Sequence, residues 1–111
     1  MTEPAMETVD SFGMIAERQF ADVWSRPALS VRERLLILLG LLVGQGLHEQ
    51  TDVQLDAALR SGELTETELR EVVVFLTHYA GWARGSKLND QVEGLIERVN
   101  QARSDRDGPA G

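Results

Sequence analysis

The chain has 111 residues, enough for one domain built on a single hydrophobic core. Its formal net charge is −7, from 11 Lys and Arg against 18 Asp and Glu, which argues against nucleic acid or an anionic membrane surface as a partner. It contains no cysteine, so disulfides, thiolate metal sites and thiol catalysis are excluded.

In chain order, residues 1–7 are short and polar, contain Pro4, and are expected to form a disordered tail. They carry two Glu and no basic or apolar leader pattern. A first helix is expected over residues 9–23, with Phe12, Ile15, Ala16, Gln19 and Phe20 along one side. Pro27 breaks it, because the residue before a proline is pushed out of the helical region. Ser30 and Glu33 have capping-box spacing and open a second helix over residues 31–43. That helix is apolar almost all round, with six leucines, and must be covered on most sides, so a subunit interface is inferred. Its apolar run, residues 35–43, is about half of the ~20 residues a membrane span needs, and a cytoplasmic location is expected.

A third helix is expected over residues 48–60, ending at Gly62. Thr65 and Glu68 form a second capping box, opening a long helix over residues 66–83. A last helix is expected over residues 87–101, carrying Leu88, Val92, Leu95, Ile96 and Val99. Residues 102–111 are charged and rich in Gly and Pro, and are expected to be a disordered tail. No segment has the alternation of a strand, so the fold class is all-α, with the folded domain at residues 8–101.

Several segments now resemble a known family in the right order and spacing. They are Trp24-Ser25-Arg26-Pro27-Ala28-Leu29-Ser30, Arg32-Glu33-Arg34-Leu35-Leu36, Ala57-Ala58-Leu59-Arg60-Ser61-Gly62, the stretch from Thr65 to Glu71, and Tyr79-Ala80-Gly81-Trp82. Together they resemble the carboxymuconolactone decarboxylase family over about residues 10–100. The resemblance implies an alkylhydroperoxidase-D-like (AhpD-like) bundle of about five to six helices, assembled as a homo-oligomer, a trimer or a hexamer. It also implies a small-molecule substrate and, for the decarboxylase branch, loss of CO2 without a cofactor. The redox branch places a cysteine pair near Leu47 and Gln50, so peroxidase chemistry is excluded here. The decarboxylase branch typically has Glu and His where this chain has Gln50 and Gln54, neither of which transfers protons near neutral pH. The usual Pro after the aromatic is Ala83.

The ionisable residues that remain have two readings each. His48 and Glu49, just ahead of Gln50, either supply a displaced acid and base or form a solvated helix start. On the long helix, His78 and Trp82 each lie within roughly 20° of the line of Glu71, and Phe75 about 40° from it. Leu69, Val72, Val73, Leu76 and Ala80 form the opposite, core-facing stripe. Glu71 and His78 are about 10.5 Å apart along the axis, too far for a direct dyad, so His78 needs a partner such as His48 or a neighbouring subunit. In the functional reading His78 shuttles a proton while Trp82 and Phe75 line an apolar wall. In the structural reading the same residues fill a helix edge at a subunit interface. Glu71 pairs with Arg34 to tie two helices, or leaves Arg34 to hold a substrate carboxylate. Tyr79, about 100° from His78, faces the core or a second cleft. No metal site is expected; Glu49, Asp52 and Asp56 have only His48 nearby as a nitrogen ligand.

These residues point first to a cofactor-free enzyme acting by proton transfer on a small oxygenated molecule, by decarboxylation, isomerisation, lactone opening or cyclisation. The binding residues would be Trp82, Phe75, Arg34, Gln50, Gln54, Glu71 and Tyr79. The alternatives are a non-catalytic binding or assembly protein and a true 4-carboxymuconolactone decarboxylase with a rearranged site.

Overall fold

The structure, a computed structural model, describes residues 3–108. Among the described residues five helices follow one another: α1 (Glu3–Trp24), α2 (Val31–Gly44), α3 (His48–Ser61), α4 (Glu66–Ala80) and α5 (Trp82–Asp107). There is no strand among the described residues, and the all-α class is observed directly. No helix among them is long and apolar enough to cross a membrane. The chain divides into two compact units, residues 1–34 and 35–111, with the division inside α2.

In the first unit, α1 begins at Glu3 and runs to Trp24. The turn around Pro27 is held by the start of α2. Ser30 Oγ accepts from the Glu33 backbone N–H at 3.0 Å, and Glu33 Oε1 accepts from the Ser30 N–H at 2.8 Å, completing the expected capping box. Arg34 Nη1 donates to the carbonyls of Trp24, at 3.2 Å, and Leu29. The guanidinium therefore braces its own connection, satisfying carbonyls left open at the end of α1 and in the turn.

In the second unit, Leu39, Leu55, Ala58, Leu64, Leu69, Leu88 and Val92 form a fully enclosed core shared by α2 to α5. Ile37 and Leu41, on the outer side of α2, stay exposed. The α3–α4 link turns at Gly62, whose φ of 80° is left-handed and open to glycine at little cost. Its N–H bonds Leu59 O and the Leu64 N–H bonds Ala58 O, so the last carbonyls of α3 are satisfied and Leu64 is folded under the helix end. Thr65 and Glu68 form the second capping box.

The α4–α5 boundary corrects the sequence expectation. A helix was expected to run unbroken over residues 66–83, with the next beginning at 87. Instead α4 stops at Ala80, Gly81 adopts φ 99° and ψ 159°, and α5 begins at Trp82. That backbone region is essentially restricted to glycine, so one residue reverses the chain. α5 packs along α4 and also against α3. Where α5 meets α4, Gly85 is buried directly against Thr77. At its far end α5 continues to Asp107, beyond residue 101, which was expected to end it.

Two carboxylates are held electrostatically, one in the cap of α2 and one between α4 and α5. The Ser30 backbone N–H and hydroxyl hold the Glu33 carboxyl below its ordinary value of 4.5. The Arg70 guanidinium, bidentate at 2.8 and 3.0 Å, does the same for Glu93 and raises its own pKa in return. A depressed carboxylate stabilises the fold above the unfolded pKa and loses that contribution as pH falls through the lower folded value. The urea midpoint of wild type is thus expected to exceed that of the Glu33→Gln/Glu93→Gln double variant at neutral pH, with the gap closing below pH 4.5. A gap of constant size across that range would mean that the ionised carboxylates contribute nothing.

Candidate functional site

The hairpin of α4 and α5 leaves a groove of about 380 Å³ on the face that carries His78, lined by Val73, Val74, Thr77, His78, Trp82, Gly85, Ser86 and Asn89. Its geometry follows from helical spacing. On α5, Trp82, Ser86, Asn89 and Glu93 fall within roughly 60° of one another. On α4, Arg70, Val74, Thr77 and His78 form the opposing row. The Arg70–Glu93 bridge joins the same two helices further from the turn. Thr77 Oγ1 donates to Val73 O at 2.6 Å, so its hydroxyl is turned onto its own helix.

His78 is exposed, and its Nδ1 lies 2.8 Å from Val74 O. A carbonyl only accepts, so Nδ1 carries the hydrogen. In the neutral ring this leaves the lone pair on Nε2, across the ring from that bond, where it can take up or return a proton. Val73, Val74 and Trp82 supply the apolar wall.

The groove brings His78 and Trp82 together, as the spacing predicts, though by another route. Their proximity comes from the reversal at Gly81 and not from one continuous helix. Phe75 and Tyr79 do not line the groove. They pair with each other, ring centroids 4.9 Å apart and planes 33° apart, on an exposed part of α4. Glu71 is likewise exposed. Tyr79, at 77% exposure, does not face the core.

The α3 candidates form a separate group. His48, Glu49 and Gln50 are exposed in the first turn, and Gln54 is half-buried one turn on. None of them lines the groove that holds His78. Behind them, buried Gln91 of α5 donates through Nε2 to His48 O at 2.8 Å and to Asp52 Oδ1 at 2.9 Å. That turn is also anchored by buried Thr51, whose hydroxyl donates to Leu47 O at 2.8 Å. Among the described residues no group of three His, Asp or Glu is placed to hold a metal ion.

No sequence motif marks Thr77, Ser86, Asn89 or Gln91. Ser86 and Asn89 share the face of Trp82 at i+4 and i+7, a signal that becomes visible once the helix is started at residue 82.

The sequence pattern of the carboxymuconolactone decarboxylase family matches residues 10–90. The chain belongs to this family. Two decarboxylases are similar to it in sequence. Nitrosuccinic acid decarboxylase npaB of Metarhizium robertsii is 35% identical over 68 residues, which is 61% of this chain and 47% of that protein. The 4-carboxymuconolactone decarboxylase of Acinetobacter baylyi is 31% identical over 72 residues, 65% of this chain and 53% of that one. The chain therefore spans about half the length of the curated relatives it matches. No solved structure matches it.

The matched region includes both groups of candidates, the α3 turn on one side and α4 with the start of α5, as far as residue 90, on the other. The two differ in chemistry. The α3 turn offers His48 and Glu49 on an exposed surface beside two neutral glutamines, whereas the hairpin offers one imidazole against an apolar wall.

Proposed function

We propose that the chain is a cofactor-free decarboxylase-like enzyme, working by proton transfer on a small acid whose carboxylate sits next to an electron-withdrawing group. The observation that carries this reading is the groove in which Val74 fixes the His78 tautomer opposite an apolar wall. An apolar wall disfavours a carboxylate more than the neutral CO2 it becomes. In an acid such as nitrosuccinate, the bond from the nitro-bearing carbon to the carboxyl carbon breaks and CO2 departs. The electron pair passes to the nitro oxygens as a nitronate. Protonated His78 then returns a proton from Nε2 to carbon, yielding 3-nitropropanoate and neutral imidazole. Similarity to a nitrosuccinic acid decarboxylase supports this class of substrate.

Ile37 and Leu41 on α2, together with the Phe75–Tyr79 pair on α4, support self-association into the homo-oligomer the resemblance implies. A second reading, a binding or assembly protein, is favoured by Gln50 and Gln54, which keep size and hydrogen bonding at the two family positions but carry no titratable group.

The deciding experiment is proton and carbon NMR in deuterium oxide with nitrosuccinate and with 4-carboxymuconolactone, wild type beside His78→Gln. Expected is CO2 release from nitrosuccinate with deuterium at the former carboxyl-bearing carbon, lost in the variant. Turnover of 4-carboxymuconolactone alone would indicate the rearranged family decarboxylase. Silence with both acids would favour the binding protein.

A further inference from the structure

The groove holds two polar side chains to which that reaction has so far given no task. Ser86 and Asn89 are three residues apart on the α5 face that opposes His78, and both line the groove. Among the described residues, neither the hydroxyl nor the amide makes a hydrogen bond to the protein. Thr77, the other hydroxyl in the groove, is already bonded to Val73 O. No Lys or Arg lines the groove. The Arg70 guanidinium on the same row is engaged by both oxygens of Glu93. Apart from His78, an anion bound here is therefore met by neutral donors alone.

We infer that Ser86 and Asn89 are the substrate-specificity residues of this groove, donating to the nitro or carbonyl oxygens on which negative charge develops as CO2 leaves. This rests on the proposed decarboxylation at His78. Neutral dipoles suit that task. A guanidinium would also grip the ground-state carboxylate, stabilising the departing group as strongly as the developing anion. An amide and a hydroxyl interact weakly with the neutral nitro group and more strongly with the nitronate, as oxyanion-hole donors do. The arrangement divides the groove. The carboxylate to be lost lies against Val73, Val74 and Trp82, the electron-accepting oxygens lie against Ser86 and Asn89, and Nε2 of His78 serves the carbon between them. The substrate class that follows is an acid with a planar, two-oxygen or carbonyl acceptor on the carbon that carries the lost carboxylate. An acid with no such acceptor, such as succinate, is refused.

The test separates binding from chemistry by using His78→Gln as the background. The nitronate of 3-nitropropanoate, a stable likeness of the intermediate, is titrated into 15N-labelled protein, with succinate as the control. Expected is nitronate binding at least tenfold tighter than succinate, with shifts at the Asn89 side-chain amide. Asn89→Asp, which sets a carboxylate against the nitronate, should weaken binding by more than tenfold, and Ser86→Ala by several-fold. Asn89→Gln should recover part of the loss. Equal affinity for nitronate and succinate, or nitronate binding indifferent to Asn89→Asp, overturns the inference. If wild type turns over nitrosuccinate in a His78-dependent manner while either of those results holds, the assignment of Ser86 and Asn89 fails and the decarboxylase stands. If nitronate binds through Asn89 but no acid is turned over, the decarboxylase fails and an oxyanion-binding groove remains.

Discussion

Gly85→Ala is expected to destabilise the chain, although it replaces glycine with the best helix former in the middle of a helix. Propensity alone favours the change by about 1 kcal/mol. The new methyl, however, would sit 2.7 Å from Thr77 Cβ and 2.9 Å from Thr77 Cα. The second of these is backbone, so no rotamer change relieves it, and α4 and α5 must separate. Overpacking of this kind costs about 1–3 kcal/mol, and the backbone contact places the cost in the upper part of that range. The net loss of about 1–2 kcal/mol is read as a lower thermal midpoint, at about 4–8 °C per kcal/mol for a small domain. Thr77→Ala in the same background removes only the outer atoms and should restore little. A Gly85→Ala protein that melts above wild type would show that the two helices do not approach this closely.

The second large effect is expected at His78. If its imidazole returns the proton to carbon, His78→Gln lowers kcat/KM by roughly 10²- to 10⁴-fold, the usual range for one general acid or base. At 1.36 kcal/mol per tenfold, that is about 3–5 kcal/mol of transition-state stabilisation. His78 is exposed and bonds only within its own helix, so the thermal midpoint should scarcely move. The pH–rate profile should lose the limb set by imidazole protonation, a change no purely structural role would produce. A variant that keeps wild-type turnover and the same pH profile removes His78 from the chemistry and returns attention to His48 and Glu49.

The two capping boxes were legible because a cap is local. Ser30 with Glu33 and Thr65 with Glu68 state their helix starts in four residues, and the structure shows both. The break at Gly81 was harder to read than the end of α3 at Gly62, because no polar linker follows the glycine. Tyr79-Ala80-Gly81-Trp82 keeps helical periodicity across the gap, and only a φ of 99° reveals the reversal. The loss spread to the site. With the last helix begun at residue 87, Ser86 lay outside any helix, and Asn89 had no relation to Trp82. The helical wheel places His78, Trp82 and Phe75 on one wall; the structure puts the first two in one groove and Phe75 outside it, because a wheel cannot tell which neighbouring element arrives. Gln91 was passed over for a similar reason: its partners on α3 are some forty residues earlier in the chain, and no local pattern marks them.

The close seat of Gly85 against Thr77 also constrains how the groove can diverge. One residue inserted in α5 between Trp82 and Gly85 would turn the helix beyond it by about 100° and move it by about 1.5 Å. Ser86 and Asn89 would leave the groove together, and Gly85 would no longer meet Thr77. A descendant with altered substrate preference must change the letters at positions 82, 86 and 89 and keep the count from Trp82 to Asn89.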